Sequence, residues 1–433
     1  VTAPHGQTLR SPPAKPGDYL ILFTTQHLGD LALKIDGKAI KQNNVIQQSV
    51  EQDQWLANTR PYLSEPSVNF ETILLTGATG FLGIYLLSQL QQSLPNSITY
   101  CLIRANNEVT AQEKLQANAT HYRLNIDFKR IIILLGDLKQ ENLGLNSSQW
   151  QNIVIQIDAI YHCGAQVNHL YHYFSLRHAN VSSTLTLLAL CQQGRKKQFF
   201  YISTLSTALQ QGNLIEENCV ANAPPKENGY IQSKWIAERL IQQAFAQGLY
   251  GTIYRMGNIT GCTRYGYSNT ENNHGLSVIK GCLQQGIAPL WKYYDVDITP
   301  VDKVADLLVQ SSINGLHAKQ CVNLSYLTSL PWVEILQQIA NDASPIEFVS
   351  PGEWAKIWVP KIKQGNALYF FKSFYLQTEE RPKIIVERNY VKQVNLPLDG
   401  MKLLSLYRQY WQKTGFITRN LIEISCARRV AVK

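Results

Sequence analysis

The sequence predicts an α/β fold, a doubly wound parallel sheet with a smaller, mainly helical C-terminal domain on its substrate side. Three observations predict it. The 433 residues are 45% hydrophobic and 16% charged, enough apolar material for one large core and a smaller second one. From residue 72 onward, short aliphatic runs alternate with helix-length segments, the pattern of a parallel sheet with helical crossovers. A glycine-rich turn also closes the first of those runs just before the first helix.

The elements follow in chain order. Residues 1–66 carry Pro12, Pro13, Pro16, Pro61 and Pro66 and only a short apolar-polar alternation, so a lead-in segment with little fold of its own is expected. The chain opens on Val1 rather than Met, which reads as a processed chain or a piece of a longer one. Buried strands are expected at 72–75, 98–103, 130–135, 159–162, 198–203 and 252–255, with helices between most of them. Beyond 257 the order weakens into Gly- and Asn-rich loops and helical segments, with one more strand at 320–324. The dinucleotide-binding domain is therefore placed at 67–330, with 258–300 partly serving the substrate side, and the substrate domain at 331–433.

Composition narrows the partners. A formal charge of +9, from 40 basic and 31 acidic residues, favours anionic partners in general. No long basic run, zinc-finger spacing or aromatic-basic stripe points to nucleic acid, and Arg195-Lys196-Lys197 reads as a solvated turn. The longest apolar runs fall far short of the roughly 20 residues that span a bilayer, and the N-terminus lacks a secretory pattern. A cytoplasmic setting without a membrane span is expected. The eight cysteines show no C-x-x-C spacing and read as reduced, mostly structural thiols. His169 and His172, three apart, can share a helical face, but no carboxylate or cysteine cluster near them or near His162 and His178 completes a metal site.

The turn Thr76-Gly77-Ala78-Thr79-Gly80-Phe81-Leu82-Gly83 follows a strand and opens a helix, the context of a Rossmann-type phosphate loop. Its glycines allow a tight turn, let backbone amides approach a pyrophosphate and bring helix close to strand, while the helix N-terminus favours the negative charge. Gly77, Thr79, Gly80, Phe81, Leu82 and Gly83 are thus candidate dinucleotide contacts, in G-x-x-G-x-x-G spacing. Arg104 ends the second strand, where an NAD enzyme usually carries an acid for the ribose 2′-hydroxyl. A guanidinium there suits a 2′-phosphate, with Lys114 as a second positive charge, so NADPH is the expected cofactor. Asp137 and Leu138, after the third strand, are candidates for the adenine, and Gly257, after the sixth, is a further candidate contact.

Tyr230 and Lys234 stand four apart at the start of a helix, which puts both on one face. Hydride addition to a carbonyl leaves an oxyanion that needs a positioned donor. The tyrosine hydroxyl can supply it, and the ammonium can lower the phenol pKa and hold the nicotinamide ribose. Thr204, at the end of the fifth strand, can give a second hydrogen bond.

These residues, with Leu75 to Gly83, Cys101 to Ala105, His162-Cys163-Gly164-Ala165-Gln166-Val167-Asn168, Leu176 to Val181, Tyr230 to Glu238 and Ile298 to Asp302, make the chain resemble the thioester reductase domains. These are the release modules of nonribosomal peptide and polyketide synthases and of carboxylic acid reductases. The resemblance runs from about 70 to 330. It implies a Thr204, Tyr230 and Lys234 triad, and dinucleotide contacts at the glycine loop, Arg104, Gly164 and Ala165. It also implies NADPH-dependent reduction of an acyl or peptidyl thioester, held on the phosphopantetheine arm of a carrier protein within a larger synthase, to an aldehyde and sometimes an alcohol. The chain departs from the family at His169, Ser183, Met256 and Asn258, which touch the pocket rather than the hydride chemistry. Leu28-Gly29-Asp30-Leu31 is similar to a carrier attachment motif without its serine and reads as chance. A fatty acyl-CoA reductase and an extended dehydrogenase acting on nucleotide sugars remain the alternatives. A non-catalytic cofactor sensor is disfavoured, because a sensor needs no proton donor.

Overall fold

The computed structural model describes residues 70–417 except 210–213, 219–227, 272, 326–328, 341–345, 377, 379–383 and 395–397, together with Ser49, Gln52, Asp53, Pro61 and Tyr62. The Leu28 to Leu31 motif lies outside the described residues. Everything below concerns the unit Gln48–Lys433.

Seven parallel strands form the central sheet: β1 Thr72–Thr76, β2 Ile98–Ile103, β3 Ile131–Leu135, β4 Ala159–His162, β5 Gln198–Thr204, β6 Tyr250–Met256 and β7 Cys321–Leu324, in the order β7-β6-β5-β4-β1-β2-β3. The main helices are α1 Phe81–Ser93, α2 Glu108–His121, α3 Ser147–Gln156, α4 Tyr173–Arg177, α5 Ser183–Cys191, α6 Gly229–Ala246, α7 His274–Gln285, α8 Val301–Ile313, α9 Trp332–Ile339 and α10 Gly400–Lys413, with shorter helical turns at Pro351–Glu353 and Asn389–Val394. A π turn, His178–Ser182, joins α4 to α5. Among the described residues no helix is long and apolar enough to cross a membrane.

Helices cover both faces of a parallel sheet, so its central strands are buried on both sides and read as mainly apolar runs, while the edge strand β3 leaves Ile132 exposed. In β1 Ile73, Leu74 and Leu75 are all buried. Strand order reverses between β1 and β4, which opens a crevice at the C-terminal ends of these two strands. The sheet core is tied together by rings. Phe70 meets Tyr161 and Phe200 edge-on at 6.5 and 5.7 Å, and the latter two lie 4.7 Å apart. A second core gathers Trp291, Trp332, Trp354, Tyr375, Tyr407 and Trp411, and draws on residues 276–298 as well as 330–417. Between these two stretches the chain returns to the sheet, with α8 packed on α1 and β7 added beside β6.

Two local expectations are corrected. Strand β6 begins at Tyr250, not 252, and runs through Gly251. A glycine weakens a strand, but a side chain here would place its Cβ 1.8 Å from the Phe199 carbonyl oxygen, so close strand approach requires it. Nor is Arg195-Lys196-Lys197 a solvated turn throughout. Lys197 is buried, its ammonium donating to the carbonyls of Val154 (2.9 Å), Gln193 (2.7 Å) and Arg195 (2.8 Å). Three acceptors replace its hydration, and burial brings its pKa down to about 8.

Upstream of the sheet, Asp53 accepts hydrogen bonds from Arg177 Nε (2.6 Å) and Nη2 (2.8 Å) and from the Tyr173 hydroxyl, while the Tyr62 amide donates to the Gln247 carbonyl at 3.0 Å. Residues 53 and 62 are thus tied to α4 and to the end of α6.

Candidate functional site

The crevice at the switch point is built from backbone. Gly77 has φ +77°, and a Cβ there would lie 2.7 Å from both Cα and N of Gly164. The turns after β1 and β4 therefore touch main chain to main chain. At Gly83 a Cβ would fall 1.9 Å from the Gly77 carbonyl oxygen, so helix α1 packs against the turn only because that position lacks a side chain. Gly80 caps α1 without a side-chain hydrogen bond. By helix geometry the amides of Phe81, Leu82 and Gly83 then lack intrahelical partners and favour an anion at the helix start. The Phe81 ring packs on Tyr85 and Tyr122 at 5.7 and 5.4 Å, and Leu82 belongs to the sheet core. What these two offer a ligand is their backbone.

Other expected contacts gather on the same rim. Thr76 Oγ1 accepts the Gly164 amide at 3.0 Å and lies 2.7 Å from His162 Nδ1. A Cβ at Gly164 would meet Leu138 Cδ1 at 2.9 Å, which brings Gly77, Gly164 and Leu138 together, with the half-buried Ala165 next in the chain. Asp137 instead serves its own turn, accepting the Lys139 amide at 2.9 Å. Asn118 Nδ2 on α2 donates to the Thr79 carbonyl at 2.7 Å. Arg104 and Lys114 are exposed together beyond β2, with the Lys114 ammonium donating to the Arg104 carbonyl at 2.9 Å. Unpaired amides at a helix start, with two cations one strand away, fit the chemistry of a dinucleotide.

Helix α6 begins where Asn228 accepts the Ile231 amide at 3.1 Å, an N-cap that starts the helix just before Tyr230. Lys234 is buried one turn on. Its ammonium donates to the Ile202 carbonyl at 2.5 Å and lies 4.1 Å over the Tyr201 ring. Burial lowers its pKa to about 7, against the opposing pull of Cys163 and Glu238. The same burial, with the nearby Lys234 charge, takes His162 down to about 3. The expected lowering of the phenol pKa is corrected here. Burial pushes the Tyr230 hydroxyl up, with Cys163 adding to the effect. Lys234 gives its short hydrogen bond to the β5 backbone. Thr204 closes β5, its Oγ1 accepting the Ser206 amide at 3.3 Å.

Gly257 lies past β6, where a Cβ would be 1.9 Å from Asp297 Oδ2. That carboxylate accepts the Asn258 amide (3.0 Å) and the Thr299 hydroxyl (2.7 Å), and burial raises its pKa to about 6.

His169 and His172 share no helix, since both lie in the loop before α4. His169 turns inward, its ring 5.5 Å edge-on from Tyr230 and 5.3 Å from His274, whose Nε2 is 3.1 Å from the Tyr375 hydroxyl. Next to His169, Leu170 joins Ser277, Lys280, Phe370, Phe371 and Phe416 around a cavity of about 640 Å³.

Asn180 has a role that its place in the Leu176 to Val181 stretch does not reveal. It is buried, donates from Nδ2 to the Gln166 carbonyl (3.1 Å) and Ser233 Oγ (2.9 Å), and accepts the Gln166 amide (2.8 Å). Ser233 in turn donates to the Tyr230 carbonyl at 2.7 Å. One amide therefore joins the turn after β4 to the helix bearing Tyr230. The stretch around it is polar and gives no local signal, but the π turn it occupies is a feature concentrated at functional sites.

A family model described as male sterility protein, of NAD-binding type, matches residues 75–308. A linear gramicidin synthase subunit from Brevibacillus parabrevis is 32% identical over 334 residues, 76% of this chain and 6% of that protein. The large subunit of L-2-aminoadipate reductase from Penicillium chrysogenum is 33% identical over 296 residues, 64% of this chain and 21% of that protein. The chain thus spans about a fifth or less of these relatives. Among solved structures, the terminal R domain from the myxalamid PKS-NRPS biosynthetic pathway superposes with a TM-score of 0.75 at 30% identity, covering 86% of this chain and 99% of that one.

Proposed function

Because this chain belongs to the NAD-binding family described as male sterility protein, and is a reductase of the extended short-chain dehydrogenase type that takes a nicotinamide cofactor, we propose that it reduces a carrier-bound acyl or peptidyl thioester and releases it as an aldehyde, using NADPH. The observation that carries the reading is that the glycine turn after β1, Thr204 at the end of β5 and the helix start bearing Tyr230 and the buried Lys234 all lie at the C-terminal ends of neighbouring central strands, with Lys234 bonded to the Ile202 carbonyl of β5 and Gly77 against Gly164. The similarity to the R domain and to the synthase subunit supports the carrier-bound substrate. The chain's positive charge suits an acidic carrier.

In this mechanism Gly77, Gly80 and the first amides of α1 would hold the pyrophosphate, and Arg104 with Lys114 would receive the 2′-phosphate. The nicotinamide, when bound, supplies the hydride to the thioester carbonyl carbon. Tyr230 and Thr204 donate hydrogen bonds to the oxygen as its charge develops, and the raised phenol pKa keeps Tyr230 protonated and able to donate. Lys234 would orient the nicotinamide ribose. The resulting hemithioacetal breaks its C–S bond, the thiol leaving with one proton, so that thioester, NADPH and a proton give aldehyde, thiol and NADP⁺. A second hydride on the aldehyde would give the alcohol. NADPH oxidation measured on one acyl group as carrier-bound, pantetheine and CoA thioesters, with the aldehyde trapped as a hydrazone, tests the reading. Turnover of the CoA thioester above the carrier-bound one would move the substrate to acyl-CoA, and no thioester turnover at all would end the proposal.

A further inference from the structure

Helix α6 carries a third polar side chain behind Tyr230 and Lys234. Glu238, two turns from Tyr230 on the same side of the helix, is buried and faces Arg255 of β6, which is fully buried. Its Oε2 accepts Arg255 Nη2 at 2.7 Å, and its Oε1 accepts Arg255 Nε at 3.1 Å. The same Oε1 accepts the Ser203 hydroxyl and, at 2.9 Å, the Thr207 hydroxyl. Thr207 Oγ1 also lies 2.8 Å from the Thr204 carbonyl and shares its proton between the two acceptors. Glu238 thus grips the chain immediately before Thr204 and, through Thr207, Thr204's own carbonyl. Arg255 Nη1 extends the grip by donating to the Glu216 carbonyl at 3.2 Å.

A buried ion pair is poor evidence of stabilisation, since desolvation offsets much of the attraction. What it does supply is geometry. Among the described residues the Thr204 side chain is held only by contacts of 3.3 Å to Ser206, so the placement of its hydroxyl depends on its backbone. We propose that Glu238, braced by Arg255, is the positioning residue of the oxyanion site, touching no reactant but setting the 203–207 turn so that the Thr204 hydroxyl points where the substrate oxygen will be. This rests on the reading of Thr204, Tyr230 and Lys234 given above. Glu238 also faces Lys234, one turn away, and its charge supports the ammonium against burial. The other titratable groups around that ammonium are His162 at the end of β4, Cys163 just past it and Tyr201 on β5.

Kinetics of the full chain on an acyl-pantetheine thioester with NADPH, over roughly pH 6 to 9, test the inference. Glu238→Gln keeps the shape and an acceptor oxygen but removes the charge. Its kcat is expected to fall roughly 10- to 100-fold, with KM and NADPH affinity within about twofold, and the alkaline limb of kcat is expected to move to lower pH. Thr207→Val keeps the ion pair and deletes the shared hydroxyl; kcat should fall about tenfold with the limb unmoved. If circular dichroism shows Glu238→Gln unfolded, the Ser203→Ala/Thr207→Val double variant decides alone. Wild-type kcat with an unmoved limb in Glu238→Gln, or wild-type kcat in the double variant, overturns the positioning role. Tyr230→Phe, run alongside, keeps the two readings apart. Full turnover there overturns the triad itself, whereas loss there with wild-type Glu238 and Thr207 variants overturns only this inference.

Discussion

The two halves of the site are made of different materials. On the β1 side the cradle is main chain. Gly77 against Gly164, and Gly83 against the Gly77 carbonyl, leave room for nothing larger than hydrogen, and the groups offered to a ligand are amides at a helix start. On the β5 side the work falls to buried side chains. Lys234 is bonded to the Ile202 carbonyl, Asn180 bridges two elements, and Glu238 holds the turn at Thr204. A backbone site is set by steric permission at a few positions and tolerates change around it. A side-chain site depends on every buried polar group finding its partner, so its faults spread. Substitutions on the first side should therefore act on cofactor affinity, and those on the second on turnover.

Tyr230→Phe should give the largest effect, a loss of kcat of roughly 10³-fold or more, with NADPH binding by fluorescence titration unchanged; near-wild-type turnover would remove the phenol from the mechanism. Gly77→Ala comes next. It forces a side chain into a left-handed conformation and against the Gly164 backbone, at about 1–3 kcal/mol for the conformation alone. The expected result is a roughly 100-fold weaker NADPH affinity and a lower melting temperature, while undiminished affinity would mean the two turns can separate freely. Arg104→Ala should weaken NADPH by roughly 10-fold or more through a lost charge-assisted contact and leave NADH nearly untouched. Equal losses for both would undo the 2′-phosphate assignment.

The smallest effect expected is that of pH. Lys234, lowered by burial to about 7, holds its charge below that pH and loses it above. kcat/KM, which reports the free enzyme, should therefore fall as pH rises through about 7, by at most about tenfold per unit. Stability should move the other way. Between about 7 and the ordinary lysine range the unfolded chain binds the extra proton, so this group makes the fold more stable as pH rises. A flat kcat/KM profile from about pH 6 to 8 would show the ammonium to be dispensable.

The backbone half is also the half that can be read in advance. Each strand of the sheet lies within two residues of its expected place, because strands of a helix-covered parallel sheet are short, mainly apolar runs. Gly77, Gly80 and Gly83 are legible because their spacing states a steric requirement. The side-chain half is legible only in outline. Tyr230 and Lys234 stand out because one helix turn joins them, but Asn180 and Ser233 are 53 residues apart and nothing local links them. The contact of His169 with His274 is hidden for the same reason. Lys197 defeats a local reading because a basic triplet beside a strand is usually hydrated, and only the fold reveals three carbonyls converging on its ammonium.

Local sequence alone thus determined the order of strands and helices, the glycine cradle, and the helix face shared by Tyr230 and Lys234, since each depends on neighbours a few residues apart. Only the tertiary structure decided which polar groups lie buried, which partners satisfy them, and what happens to their protons. Lys234 and Tyr230 are ordinary titrating groups in an extended chain. Their shifts arise chiefly from desolvation, which packing imposes; at Lys234 the nearby Cys163 and Glu238 pull the other way.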